Sequence, residues 1–212
     1  MLTKQRIVRL KNLKRLLYTS SWKRIFLFVT EPTHEKLFAR FRKINKASYL
    51  NNPEPWFTFS AIDFIQKRLK NGCRVLEWGS GSSSLWFEKN GCEVVSIEHS
   101  EDWAKVLRKV KSEKIDLILT KNKKDYVNPK VDFSKINIFL IDGVFRNECS
   151  FNLIKLIKSK KILSGTLIIF DDTSRLEYQK SVQSLTKCCD EVFHFTGISN
   201  IVIDKMTSVF IV

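Results

Sequence analysis

The chain has 212 residues, 43% of them apolar, and a formal net charge of +15. Such a length suits one domain with an appendage, and the apolar share is ample for a core. No run of 18 apolar residues occurs, which excludes a spanning helix, and no apolar stretch leads to a small-residue cleavage site, so no secretory signal is expected.

The charge is uneven. Thirteen Lys and Arg stand against Glu31 and Glu35 in the first 50 residues, so +11 of the +15 lies there and +4 in the remaining 162. The basic segment calls for an anionic partner or surface. The cysteines are Cys73, Cys92, Cys149, Cys188 and Cys189. None forms a C-x-x-C pair, and the expectation is a cytoplasmic protein with reduced, buried thiols.

Residues 2–29 read as one or two amphipathic basic helices. Ile7, Leu10, Leu13 and Leu17 recur at helical spacing, and Trp22, Ile25, Phe26, Phe28 and Val29 add an aromatic-rich patch. Two readings stand: residues 1–30 lie on an anionic membrane surface, or they pack on the domain or on a second subunit of a homo-oligomer. Nucleic acid is the lesser alternative, because no known reading module matches. Pro32 marks a break, and 34–46 reads as a second basic helix with Leu37, Phe38, Phe41 and Ile44 on one face. The loop Asn51-Asn52-Pro53-Glu54-Pro55 separates this extension, 1–50, from the main domain, 51–212. Trp56 and Phe57 then open a helix, as core residues or as a lid over the pocket beyond.

The main domain is organised around Cys73-Arg74-Val75-Leu76-Glu77-Trp78-Gly79-Ser80-Gly81-Ser82-Ser83-Ser84. This is a buried strand, a glycine turn and a helix start. Gly79 and Gly81 permit close backbone approaches, and the serines are N-cap candidates. Such a turn aims N–H groups and a helix N-terminus at a ligand above the strand. Glu77, two residues before Gly79, would repel a pyrophosphate but suits a cationic or amine-bearing ligand. Strand and helix then alternate, which predicts a parallel sheet with helices on both faces. The second strand ends in Glu98-His99, where Glu98 is about 20 residues past the turn and suited to a ribose diol. A helix over 101–111 carries Trp103, Val106, Leu107 and Val110 on one face. A third strand at 115–119 leads into a polar, lysine-rich loop with Asp125 and Tyr126. The fourth strand ends in Asp142-Gly143, the fifth in Asp171-Asp172, and two antiparallel strands close the chain. Three carboxylates on neighbouring strand ends would repel one another in a cleft, and a hard divalent cation such as Mg²⁺ would relieve that.

The pattern Glu77-x-Gly79-x-Gly81-x-Ser83 resembles motif I of the class I S-adenosylmethionine-dependent methyltransferases, with Ser83 in place of the usual third glycine. The resemblance spans roughly 55–212. It implies a three-layer Rossmann-like α/β fold with a seven-stranded, mostly parallel sheet, order 3-2-1-4-5-7-6, strand 7 antiparallel. It also implies that Glu77, Gly79, Ser80, Gly81, Ser83, Glu98, His99 and Asp142 hold S-adenosyl-L-methionine. Glu77 would sit near the amino-acid end of the cofactor, and His99 either beside the adenine or at the surface.

The strand-end acids resemble those of metal-dependent O-methyltransferases of the caffeoyl-CoA and macrocin types. Carried over, Asp142, Asp171 and Asp172 would hold Mg²⁺, which would lower the pKa of the acceptor hydroxyl. Asp142 could instead take that proton directly. The phrase Ile141-Asp142-Gly143…Arg146…Cys149 is similar to a group of bacterial class I methyltransferases in which the metal need not be kept. There Arg146 would hold an anionic substrate group or pair with Asp142 or Asp172. The implied function is O-methylation of a small molecule or glycan. The alternative is a catalytically silent module of the same fold that docks through its basic N-terminus. A nicotinamide oxidoreductase is disfavoured by Glu77 and by the closing hairpin.

Overall fold

The computed structural model describes residues 53–199 and 205–212, together with the backbone of 26–29. The expected boundary at residue 50, the helix at 34–46 and the basic helices before residue 26 lie outside the described residues. The strands are β1 Phe26–Val29, β2 Arg74–Trp78, β3 Glu93–Glu98, β4 Ile115–Leu119, β5 Ile138–Ile141, β6 Leu167–Phe170, β7 Glu191–Gly197 and β8 Lys205–Ile211. The helices are α1 Phe59–Gln66, α2 Ser82–Lys89, α3 Glu101–Arg108, α4 Lys123–Val127, α5 Arg146–Lys158 and α6 Gln179–Thr186.

One sheet runs β1-β7-β8-β6-β5-β2-β3-β4, and only β8 is antiparallel to its neighbours. From β2 to β8 this is the expected order, 3-2-1-4-5-7-6, with the last strand reversed. Central strands such as Ile138–Ile141 and Leu167–Phe170 are buried along their whole length, as parallel strands covered on both faces must be.

Alternation along β2 distributes the core. Val75 packs with α1, α2 and Leu107 of α3 on one face. Leu76 and Trp78 pack with Tyr126, Leu153 and Leu185 from α4, α5 and α6 on the other. Three layers follow, and Glu77 is assigned by the same alternation to the face that carries α2.

Four sequence expectations are corrected. Phe26–Val29 is a strand, paired in parallel with β7 from Phe26 opposite Val192 to Val29 opposite Phe195. A short unbroken apolar run rich in aromatic and branched residues carries no helical period of its own and suits a pleat. Tyr126 belongs to a short helix rather than an open loop; Asn122 caps it by accepting from the N–H groups of Lys124 and Asp125, and the ring is fully buried. Of the predicted face of α3, Trp103, Val106 and Val110 are exposed; Leu107 is buried as expected, together with Ala104, which was not on it.

The fourth correction concerns sulfur. Cys149 and Cys188 are free thiols, but Cys73 and Cys92 form a disulfide with Cα atoms 4.7 Å apart. The register that sets Arg74 opposite Glu93 brings the two preceding residues side by side. This bridge lies at the N-terminal ends of β2 and β3, at the opposite end of the sheet from the cleft.

Candidate active site

The parallel strands end on one rim, and the start of antiparallel β8 returns to it. A cleft of about 500 Å³ opens there. Its lining includes the glycine turn, Glu98, His99, Asp142, Asp172 and Lys205. Ligands of open α/β sheets bind at this end.

The glycine turn is held by close backbone packing. Gly79 has φ +97°, and a Cβ there would sit 2.6 Å from Gly143 Cα. A Cβ on Gly143 would in turn sit 2.0 Å from the Tyr126 hydroxyl and 2.8 Å from Gly79 N. The β2–α2 and β5–α5 turns therefore touch only because both residues lack side chains. Above Gly81 there is open space, with nothing within 4 Å of the position a Cβ would take.

Glu98 ends β3 at the cleft wall, 2% exposed. Its Oε2 accepts from Ser80 N–H at 2.9 Å, and its Oε1 accepts from the N–H groups of His99 at 2.8 Å and Ser100 at 2.7 Å. His99 Nδ1 lies 2.9 Å from the same Oε1, and the half-exposed ring meets Tyr126 edge-on. The carboxylate is thus fixed in orientation by three backbone donors while facing the cleft. Trp56 and Phe57 divide between the two readings given for them: Phe57 is core, and Trp56 lines the cleft with its ring 6.5 Å from that of Trp103.

Glu77 does not line the cleft. It is fully buried below the turn and accepts from three serine hydroxyls: Ser83 at 2.9 Å, Ser96 at 2.7 Å, and Ser84. Burial, only partly offset by these hydrogen bonds, pushes its carboxyl up to about 7. Ser83, the departure from the third glycine, thus serves the buried acid. Gly79, Ser80, Gly81 and Ser83 itself line the cleft.

The acids of β5 and β6 lie among three cations, of which Arg146 was one expected partner and Lys205 and Arg175 were not. Arg146, at the start of α5, donates to the backbone carbonyls of Asp142 (2.6 Å), Gly143 (2.9 Å) and Asp171 (2.9 Å). It also pairs with the carboxylates of Asp142 at 3.0 Å and Asp172 at 3.3 Å. Lys205, 5% exposed, reaches Asp171 at 2.5 Å and Asp172 at 3.2 Å. Arg175 pairs with Asp172 at 2.6 Å, and Thr207 donates to Asp171 at 2.8 Å.

Titration behaviour follows these contacts. Burial, then the Asp171 charge, hold Asp142 well above the usual carboxylate range against the pull of Arg146 and Lys205. Burial likewise raises Asp171, with Lys205 opposing. For Asp172 burial is outweighed by Lys205, Arg146 and Arg175, and its carboxyl lies below the usual range.

This geometry corrects the metal reading of Asp142, Asp171 and Asp172. The repulsion that argued for Mg²⁺ is relieved by Arg146, Lys205 and Arg175. Among the described residues no three His, Cys, Asp or Glu side chains are grouped so as to hold a metal ion. Asp171 is spent on Lys205 and Thr207, behind the cleft wall. The three acids therefore do not fit a divalent cation, and no chemistry is derived through one.

The residues do fit S-adenosylmethionine. The turn leaves room above Gly81, an oriented carboxylate stands at the end of β3, and aromatic rings from Trp56 and Trp103 form an apolar wall. Lys205 was not foreseen; for Arg146 the pairing with Asp142 and Asp172 was one of two readings, and its hold on three backbone carbonyls was not expected. Their only signals are a lysine at the head of a β-rich run and an arginine four residues after a strand-end acid.

No protein-family model matches the chain, and no curated protein matches it. Solved structures do. A probable spermidine synthase from Corynebacterium glutamicum ATCC 13032 superposes with a TM-score of 0.53 at 11% identity, over 77% of this chain and 63% of that one. The C-terminal domain of precorrin-6Y C5,15-methyltransferase from Rhodobacter capsulatus gives 0.52 at 13%, over 71% and 85%. The Thermus thermophilus 16S rRNA N2 G1207 methyltransferase, solved with AdoMet and guanosine, gives 0.50 at 14%, over 80% and 43%.

Proposed function

We propose that this chain, whose fold is that of the class I S-adenosylmethionine-dependent methyltransferases, is an enzyme that methylates an oxygen of a small molecule or glycan. Fold alone does not assign a reaction, and the neighbours include a probable synthase and an rRNA methyltransferase. The observation that carries the reading is Glu98, oriented by three backbone N–H groups and facing the cleft beside the open Gly81 turn.

When bound, the cofactor supplies an activated methyl group. The residues supply the rest. Glu98 would accept from a ribose hydroxyl through Oε2, and Gly79, Ser80 and Gly81 would leave room for the amino-acid end. Asp142 is 24% exposed at the cleft and lifted above the usual carboxylate range, so it is a stronger base than a free carboxylate. It takes the acceptor proton. Arg146 keeps it oriented, and Trp56 and Trp103 shield the site from water.

Calorimetric titration with S-adenosylhomocysteine tests the cofactor. Wild type is expected to bind equally with Mg²⁺ and with EDTA, and Glu98→Ala to lose about tenfold or more in affinity, since one ribose hydrogen bond to the remaining lone pair of Oε2, a charged acceptor, contributes about 1.5–3 kcal/mol. Absence of binding in folded wild type would end the proposal.

Asp142→Asn is expected to keep cofactor affinity within about threefold. It should lower kcat by about 10²–10⁴ and remove the acid limb of the pH–rate profile. That limb arises because Asp142 acts only when ionised, so the rate falls as pH drops through its raised pKa. An unchanged pH profile would show that Asp142 is not the base.

A cytoplasmic setting, a membrane contact through residues 1–30 and a homo-oligomer belong to the same reading. Among the described residues no helix is long and apolar enough to cross a membrane, and the charge of the first 50 residues supports an anionic surface as the partner of that segment.

A further inference from the structure

The cations at the ends of β5, β6 and β8 are unequally engaged. Arg146 is 11% exposed, and its five N–H groups face five acceptors, three backbone carbonyls and two carboxylates. Lys205, buried, lies between Asp171 and Asp172. Arg175 differs. It lines the cleft with its side chain 51% exposed, and its contact is a single one, from Nη2 to Asp172 Oδ2 at 2.6 Å. The rest of its guanidinium fork has no partner among the described residues.

The fork is nonetheless held in place. The Arg175 backbone N–H donates to the Asp172 carbonyl at 3.0 Å, and the Arg175 carbonyl accepts from the Tyr178 N–H and from buried Gln179 Nε2, both at 3.2 Å. Asp172 stands in the left-handed region, φ +57°, a costly conformation for a residue with a side chain. From there its carboxylate meets Lys205 and Arg146 as well as Arg175. Asp172 is thus neutralised without Arg175, which keeps most of its donors for a group in the cleft.

Strand order indicates whose group that is. Along the rim stand Glu98 at the end of β3, the glycine turn after β2, Asp142 after β5 and Arg175 in the turn after β6. On the reading above, the cofactor covers the first two places and the acceptor hydroxyl meets Asp142 at the third. Arg175 lies one strand further out, about 5 Å, on the acceptor's side. Resting on that reading, we infer that the acceptor is an anion: a hydroxyl compound bearing a carboxylate or a phosphate, whose acidic group lies in the Arg175 fork while its hydroxyl meets Asp142. A planar fork is matched by two oxygens of either group, and a neutral sugar brings no charge to it. Arg146, the other candidate for an anionic group, has no N–H left over. The recognition acts at contact range and needs no attraction from afar.

Phenylglyoxal, which modifies open guanidinium groups, tests this, with each adduct located by mass spectrometry. Arg175 is expected to react and Arg146 to resist. With S-adenosylhomocysteine bound, inorganic phosphate or acetate is expected to slow the Arg175 reaction about threefold at twice its dissociation constant. Arg74 and Arg108, exposed and away from the cleft, should slow far less. The stronger protector of the two names the acidic group. Equal slowing of all three arginines would be the diffuse attraction of a chain of charge +15 and overturns the inference, as does no slowing, or an Arg175 that does not react.

The cofactor's own carboxylate is the rival source. Arg175→Met is expected to hold S-adenosylhomocysteine within about twofold of the wild-type affinity. A larger loss that is absent for 5′-methylthioadenosine, which lacks the amino-acid end, would give Arg175 to the cofactor and overturn the acceptor assignment. Failed protection in a protein that binds S-adenosylhomocysteine overturns this inference alone. A folded wild type that binds none ends the cofactor reading and this acceptor with it.

Discussion

Arg146→Ala is expected to destabilise the protein by about 3–5 kcal/mol, the range for removing one partner of a buried ionic network. The side chain is 11% exposed and its guanidinium ties together the ends of β5 and β6. Its removal leaves three backbone carbonyls without their donor and takes one of three cations from among Asp142, Asp171 and Asp172. Arg146→Lys keeps the charge, but a single ammonium cannot copy a planar fork that serves five acceptors, so it should recover less than half of the loss. Urea unfolding of the three proteins checks this. A loss below about 1 kcal/mol in Arg146→Ala would mean that the guanidinium acts as an exposed charge and that the strand ends are held by something else.

The second large effect is expected at the contact of the two turns. Gly79→Ala and Gly143→Ala should each abolish cofactor binding and cost several kcal/mol, because the added Cβ meets backbone at under 3 Å in both and backbone cannot step aside cheaply. Gly79 also carries a positive φ that disfavours any side chain. The two differ in one respect. Tyr126→Phe removes the nearest atom facing Gly143 and should return part of the loss in Gly143→Ala, but nothing in Gly79→Ala. Thermal melts of the two double variants read this directly. Equal rescue would show that the clash is not where the geometry sets it.

Much of the sheet was legible because its strands are short apolar runs closed by an acid or a glycine. Glu77, Glu98, Asp142 and Asp171 are each the first charged residue at the end of such a run or its last position, and that alone gathers them at one end of a parallel sheet. What could not be read was the company they keep. Lys205 is 34 positions from Asp171 in the chain, and its pairing exists only because β8 runs backwards beside β6. Without that cation, mutual repulsion of three acids looked like a vacancy for a metal. Glu77 failed differently: its side of the strand was predictable from alternation, but its depth was not, since the three serines that satisfy it come from two elements. Tyr126 was hidden by its lysine-rich surroundings, and Phe26–Val29 by a basic stretch whose helical period ends before it.

The pairing of Asp142, Asp171 and Asp172 with Arg146, Arg175 and Lys205 has a kinetic consequence. Three negative and three positive groups packed within a few ångströms cancel, so the floor at the ends of β5, β6 and β8 projects little potential beyond one Debye length. Despite a formal charge of +15, that floor does not draw an acceptor in from a distance, as a cleft of one sign would. Capture of an acceptor there is left to collision and fit, and its association rate should depend on ionic strength only through charges other than those of this floor.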